Sequence, residues 1–470
     1  MKKHYLSLLL LAGCLTHAHA ADLLAVCQQA LTNDTLYQQA ISQALAAKEN
    51  LPINVASLLP NIDLSANPSI TRTAYAGSNV GLLAFSPRNN TARAYTLTLS
   101  ATQTVFNAAQ YEAVAGAASQ AKGADATINA ALQNLMIRAS AAYFAVLEDE
   151  DKLSYSEASK AAYSEQLSQI TEQFKVGLKT ITDVYTARAS YAAALANTIA
   201  SQTRLANDRE NLRVITGEYY PQLASLSENF PLITPQPANM ETWVKTAQLQ
   251  NWSIKAQQYA VDTSAQQVKQ QFAGHLPTVS IQGSLDRMYA NNINGYPNLS
   301  NERNGPSTET NRAITLNVNM PIFTGGSVVA QTNQAAYNYR ASQQLLEQIV
   351  RQTINTTRQS YLNLASGISQ IKADKEAVKS AISALLGMEA SYKVGTETLV
   401  NVLNQQQKVY QSQTDYASDR YAFVNNILNL KQAAGTLNFN DLRALNAWLQ
   451  NDARDKATKK IKKYAVASSK

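Results

Sequence analysis

The sequence predicts a mixed α and β fold in which amphipathic strand pairs join very long helical hairpins, the whole unit being written twice in tandem. Three observations carry this. All 12 prolines fall in three windows, Pro52 to Pro87, Pro221 to Pro237 and Pro277 to Pro321. Two segments with strand-like alternation follow the start of each half. Landmarks of the first half recur in the second at a near-constant spacing of 217 to 218 residues.

The duplication is read from paired landmarks. Leu59-Pro60 recurs as Leu276-Pro277, and Val105-Phe106 as Ile322-Phe323. Phe174-Lys175-Val176-Gly177 recurs as Tyr392-Lys393-Val394-Gly395, and Leu212 with Gly217 as Leu430 with Gly435. A spacing held across a whole unit marks a repeated structural module. The expected organisation is residues 1–20 as a signal peptide, 21–217 as the first repeat and 218–240 as a connector. Residues 241–435 form the second repeat, and 436–470 a further connector segment with a basic tail. Each repeat is expected to open with a helix, continue through two strands around a polar loop, and end in a helical hairpin.

The strands come next. Leu97, Leu99 and Ala101 alternate with Thr96, Thr98, Ser100 and Thr102. Ile314, Leu316, Val318 and Met320 alternate with Thr315, Asn317 and Asn319, and Ile62, Leu64, Ala66 and Val279, Ile281, Leu285 behave alike. Strands of about ten residues with one apolar and one polar face suit a membrane barrel with a wet lumen. A soluble sandwich edge fits less well, because no second sheet is in sight to cover four strands. The polar stretches Ala74 to Arg93 and Ala290 to Asn311 read as long loops on one side of such a barrel. Four strands cannot close it, since about eight is the practical minimum. Two copies of the chain would bring eight strands, and three would bring twelve.

The helices follow from what is missing. No proline occurs from Arg88 to Tyr220 or from Ile322 to Lys470, and a proline inside a helix breaks it. From Asn107 to Phe174 about 70 residues rich in Ala, Gln, Leu, Lys and Glu make roughly 100 Å of helix. The chain turns at Gly177-Leu178-Lys179 and returns to Thr216-Gly217; the second repeat does the same from Gly326 to Tyr392 and back to Gly435. Large aliphatics are sparse, and narrow apolar stripes suit a thin-walled helical tube. A rigid coiled-coil spacer would leave the strands unexplained.

Composition narrows the function. Lys2, Lys3, the leucine-rich run Leu6 to Leu15 and Ala18-His19-Ala20 make a secretory signal cleaved after Ala20. Leu11-Ala12-Gly13-Cys14 offers a competing lipobox. Beyond it no stretch reaches the roughly 18 uninterrupted apolar residues of a spanning helix, so a membrane must be crossed as a closed barrel. Past the signal only Cys27 and His275 remain of the cysteines and histidines. That excludes a disulfide framework, Cys/His zinc sites and histidine-based catalytic triads. No cofactor and no enzymatic activity are expected. The net charge of +7 sits in Lys2, Lys3 and the tail, where Arg454, Lys456, Lys459, Lys460, Lys462, Lys463 and Lys470 face only Asp452 and Asp455. The body is near neutral, so the tail reads as a solvated segment rather than a nucleic-acid site.

With these features in place the chain resembles the TolC family of outer-membrane efflux channels. The matching segments are Leu276-Pro277-Thr278, Pro321-Ile322-Phe323-Thr324-Gly325-Gly326, Phe174 to Gly177 with Ile181-Thr182-Asp183-Val184, Tyr392 to Gly395, and Ile215 to Pro221. The resemblance implies a homotrimer: a twelve-stranded barrel in outer-membrane lipid, continuous with a long α-helical barrel across the periplasm. It implies a belt around Glu218 to Met240 and Gly435 to Gln450. It also implies passive exit for substrates delivered by an inner-membrane efflux pump or ABC transporter through a periplasmic adaptor, in multidrug efflux, type I protein secretion or both. A stand-alone diffusion porin or a periplasm-spanning structural protein is the alternative.

Adaptor docking then falls on Val176, Gly177, Leu178, Val394, Gly395 and Thr396, where glycine lets another backbone approach or permits the helix reversal. The periplasmic constriction falls on Thr182, Asp183, Tyr392, Glu397, Asn401 and Asn404. Two departures stand out. Asn401 and Asn404 replace a pair of aspartates, which predicts weaker cation selectivity and weaker block by multivalent cations. Glu397 replaces an arginine of the closing latch and cannot pair with Asp183, leaving Lys175, Lys179 and Lys393 as candidate cations.

Overall fold

The computed structural model describes residues 20–75, 88–292 and 306–450. The signal segment, the basic tail and the middles of both polar loops lie outside the described residues. Along the chain come α1 (Leu23–Asn33), α2 (Thr35–Lys48), α3 (Asn50–Ala56), β1 (Asn61–Tyr75), β2 (Arg88–Phe106), α4 (Ala108–Lys175) and α5 (Ile181–Thr216). After β3 (Ser225–Leu226) the order repeats: α6 (Met240–Gln250), α7 (Trp252–Phe272), β4 (Thr278–Asn292), β5 (Ser307–Asn319), α8 (Ser327–Lys393) and α9 (Leu399–Ala433). The helix α10 (Phe439–Asn446) and β6 (Leu449–Gln450) follow.

The opening helix of each repeat is broken where a single one was expected. Asp34 and Asn251, 217 residues apart, stand at the breaks with extended backbone, ψ 114° and 126°. Each side chain caps the next helix, Asp34 accepting from Tyr37 N–H at 2.7 Å and Asn251 from Ser253 N–H at 2.9 Å. Such caps favour helix starts over helix interiors.

The strands form one sheet in the order β1-β2-β4-β5, antiparallel throughout. They run 13 to 19 residues rather than ten. They also extend into the stretches read as loops, because ladder hydrogen bonds join backbones and continue where side-chain alternation fades. Met320 lies just past β5. Cross-strand partners share a face, so the register places Leu64, Leu99, Leu285 and Arg312 in one row and Pro68, Tyr95, Tyr289 and Thr308 in another. The apolar members are exposed, Ile62 at 69%, Leu64 at 68% and Ile314 at 88%. Pro68, which lacks an N–H, sits in the edge strand β1, where proline is tolerated.

The chain divides into two compact units. The one holding the sheet comprises residues 44–125 and 256–346. In it α4 packs closely on α7, since a Cβ at Gly123 would lie 3.3 Å from Tyr259 Cβ. Lys48 pairs with Asp125 at 2.8 Å.

The other unit, over its described residues, comprises 20–43, 126–255 and 347–450 and carries the main core. Leu135, Tyr143, Phe144, Leu147, Tyr421, Phe423 and Leu428 are fully buried there with Leu23 and Val26. One 18-residue window of α4 is apolar enough to cross a membrane by composition, yet half of it is buried within the molecule. The segments between and after the repeats meet here: β3 pairs with β6, and Arg420 donates to Ser227 O at 2.9 Å with its guanidinium near the Phe230, Tyr416 and Tyr421 rings.

Both hairpins end on left-handed glycines. Gly217 (φ +77°) caps α5 and Gly435 (φ +75°) follows α9. Gly435 N–H donates to Gln432 O at 2.8 Å and Thr436 N–H to Lys431 O at 2.9 Å, a Schellman closure.

Candidate functional site

The two hairpin tips are built alike. At the first, Gly177 (φ +75°) donates to Phe174 O at 3.0 Å and Leu178 N–H to Gln173 O at 2.9 Å. At the second, Gly395 (φ +83°) donates to Tyr392 O at 3.1 Å and Thr396 N–H to Ser391 O at 3.0 Å. These Schellman closures require the left-handed backbone, so the reversal alone accounts for both glycines. A Cβ at either would meet nothing within 4 Å. The flanking Val176, Leu178 and Val394 are 70 to 75% exposed.

The return helices start differently. Thr180 caps α5 in a capping box: its hydroxyl accepts from Asp183 N–H at 3.2 Å, and the Asp183 carboxylate accepts from Thr180 N–H at 3.0 Å. The Thr180 hydroxyl also donates to that carboxylate at 2.8 Å. These bonds, the backbone one foremost, hold the Asp183 carboxyl below its usual range, with Lys179 adding to the effect. The carboxylate expected in a latch is thus engaged in starting its own helix.

In the second repeat Thr398 caps α9, accepting from Asn401 N–H at 3.3 Å. Asn401 holds the place of Asp183 but offers an amide, and its Nδ2 donates to Glu397 at 2.8 Å. Glu397 also accepts from Thr398 N–H at 3.2 Å. The carboxylate that stands where an arginine was expected therefore replaces the missing capping carboxylate. Asn401 and Asn404 are both exposed, as is Thr182.

Of the three candidate cations, Lys175 pairs with Glu172 at 2.7 Å within its own helix. Lys393 lies beside Glu389, whose carboxyl is raised by burial and partly lowered again by that lysine. Lys179 reaches across to the other hairpin, its Nζ 4.4 Å from the centre of the Tyr392 ring. An apolar cluster supports the contact: Tyr163, Ile170, Val184, Leu399 and Leu403 are buried with Tyr392 against them. Tyr163 also donates to Leu403 O at 3.1 Å.

Sequence reading missed three features. The tyrosine pair Tyr95 and Tyr289 on the exposed face of the sheet was signalled by aromatics at the far end of the alternation. The acidic run Glu148-Asp149-Glu150-Asp151 on α4 reaches α5 and α9, with Arg209 2.9 Å from Glu150, Ser418 donating to Glu148 at 2.8 Å and Tyr421 to Asp151 at 2.7 Å. The cross-hairpin Lys179–Tyr392 contact is tertiary and leaves no local signal. Among the described residues no group of three or more His, Cys, Asp or Glu converges as a metal site.

Among the described residues, a sheet of four amphipathic strands and two long helical hairpins are the features of an outer-membrane channel protein with a periplasmic helical part. The comparisons agree. The profile of the outer membrane efflux protein family matches residues 26–218 and 243–436, and the chain belongs to that family. It is similar to the outer membrane protein TolC of Escherichia coli strain K12, at 36% identity over 93% of this chain and 86% of the relative. It is similar to the alkaline protease secretion protein AprF of Pseudomonas aeruginosa, at 27% identity over 92% and 88%. The CmeC outer membrane channel of Campylobacter jejuni shares the fold, with a TM-score of 0.73 at 17% identity over 91% of this chain and 90% of that one. The family consists of channel proteins rather than enzymes.

Proposed function

We propose that three copies of this chain form a passive exit duct, with twelve strands closing a barrel in outer-membrane lipid and four helices per copy walling a periplasmic tube. The observation that carries this is the sheet: among the described residues β1 and β5 are both open edges, and an unpaired edge in lipid is untenable. The exposed apolar face meets lipid, with Tyr95 and Tyr289 at its interfacial rim. The paired segments β3 and β6 belong to the belt.

An inner-membrane pump or ABC transporter supplies energy and cargo, and a periplasmic adaptor docks on Val176, Gly177, Leu178, Val394, Gly395 and Thr396. The bare, protruding apolar side chains there support this role, since partner surfaces bury such groups. The likeness to AprF favours protein secretion among the uses of the duct, beside efflux.

The constriction comprises Thr182, Asp183, Tyr392, Glu397, Asn401 and Asn404, and the Lys179–Tyr392 contact restrains it. A cation–π contact at an exposed site is worth about 0.5–1 kcal/mol. Lys179→Ala should therefore raise open time in bilayer recordings by roughly two- to fivefold per contact, and Lys179→Arg should restore it. Identical recordings for Lys179→Ala and the parent would place the restraint elsewhere.

The deciding experiment is photo-crosslinking in cells from Leu178 and Thr396. Capture of a periplasmic adaptor supports the duct and names its pathway. An assembled trimer that captures nothing would favour a stand-alone porin.

A further inference from the structure

Each hairpin holds a pair of facing carboxyl groups on opposite helices, away from the tips. In the first, Asp149 of α4 faces Asp208 of α5; in the second, Asp419 of α9 faces Asp374 of α8. Asp149 is only 4% exposed. Its Oδ2 and the Oδ2 of Asp374 are buried without a hydrogen-bond donor. The other oxygens and neighbours are accounted for. Asn211 donates to Asp208 at 3.1 Å and Gln370 to Asp374 at 3.0 Å. Lys152 lies 3.9 Å from Asp149, but it is closer to Glu148, at 2.6 Å. Arg204 of α5 also faces Asp149, and Asp415 of α9 adds a third negative group beside Asp419. A carboxylate oxygen has no hydrogen to offer. Asp208, Asp374 and Asp419 are half-buried, so in each pair the one oxygen cut off from water is satisfied only when a proton lies between it and the facing carboxyl.

We propose that Asp149–Asp208 and Asp374–Asp419 are proton-binding clasps, in each of which one shared proton bridges the two antiparallel helices of a hairpin and its loss to water leaves two repelling carboxylates. The pairs lie about 40 Å and about 30 Å along the helices from the tips, so they act on hairpin stiffness rather than on the constriction itself. Burial first, then the facing carboxylate, raises both Asp149 and Asp419 from 3.8 to about 6. A carboxyl raised in the folded state stabilises fully below its unfolded value, near 3.8, and that contribution is lost as pH rises through about 6. The hairpins are thus tightest in acid.

The test is infrared titration of the detergent-solubilised full chain, following the carbonyl band of protonated carboxyl groups, alongside hydrogen exchange corrected for intrinsic rates. The parent should lose a band with a midpoint near pH 6, matching the raised carboxyls. Exchange around residues 145–152 and 370–377 should quicken severalfold between about pH 5 and about pH 7. Asp208→Asn with Asp374→Asn supplies an amide donor at every pH, so most of the band and the pH dependence should vanish. A parent with no such band, or a variant that keeps it in full, overturns the proposal. The parent measurement alone decides the matter should the variant fail to assemble.

Discussion

Gly435→Ala should cost several kcal/mol and remove most of the folded channel from the outer membrane. Two penalties add at this position. An L-residue at φ +75° costs about 1–2 kcal/mol. A Cβ there would also lie 2.5 Å from Gln250 O and 2.7 Å from Asn251 Cα, where a fixed backbone cannot yield as a side-chain end can. That backbone is held in place: Asn251 Nδ2 donates to Ala433 O at 3.0 Å, and Gln133 Nε2 donates to Gly435 O at 3.1 Å. Gly177 is the control. It has the same φ but open space around it, so Gly177→Ala should lose only the conformational part, about 1–2 kcal/mol. Denaturant unfolding and outer-membrane abundance would separate the two. Equal losses would mean that the close approach at Gln250 carries no weight.

Asn401→Asp with Asn404→Asp should turn the duct strongly cation-selective and sensitive to block by trivalent cations. In the proposed trimer six carboxylates enter the constriction together, and a ring of one sign concentrates counter-ions. The geometry adds a consequence at the helix start. A carboxylate in place of the Asn401 amide has no hydrogen to donate to Glu397, so the 2.8 Å bond becomes a repulsion. The same carboxylate completes a capping box with Thr398. Glu397 is then released toward the opening and adds to the effect. Selectivity and block that match the parent protein would show that these positions face away from the pore.

How much of this was legible in the sequence depends on the range of the cause. The duplication and the four long helices were legible because helix continuity is local: a stretch without proline and rich in helix formers is read directly, and Gly177, Gly217, Gly395 and Gly435 punctuate it. The breaks at Asp34 and Asn251 were written in the sequence as capping residues but masked by helical composition on both sides. Strand length was underestimated because pairing is a backbone property, and side-chain alternation stops before the ladder does. At the tips, residue identity disclosed which positions differ but not what they touch. Lys179 had two rivals with the same charge, and only tertiary packing puts it on Tyr392. Asp183 read as a latch member and Glu397 as a departure from the latch, and local hydrogen bonding engages both at helix starts. The facing aspartates lie 59 and 45 residues apart in sequence on different helices, which no local pattern connects.

The tips also bear on stoichiometry. Their backbones close in the same Schellman geometry, yet one carries Lys179 beside Asp183 and the other carries Glu397 beside Asn401. A protein that reads backbone shape and the protruding valines would count two equivalent sites on each chain. One that reads charge would distinguish them and fill a single class first. A binding isotherm with one step or two would therefore report which property the partner recognises, before any complex is imaged.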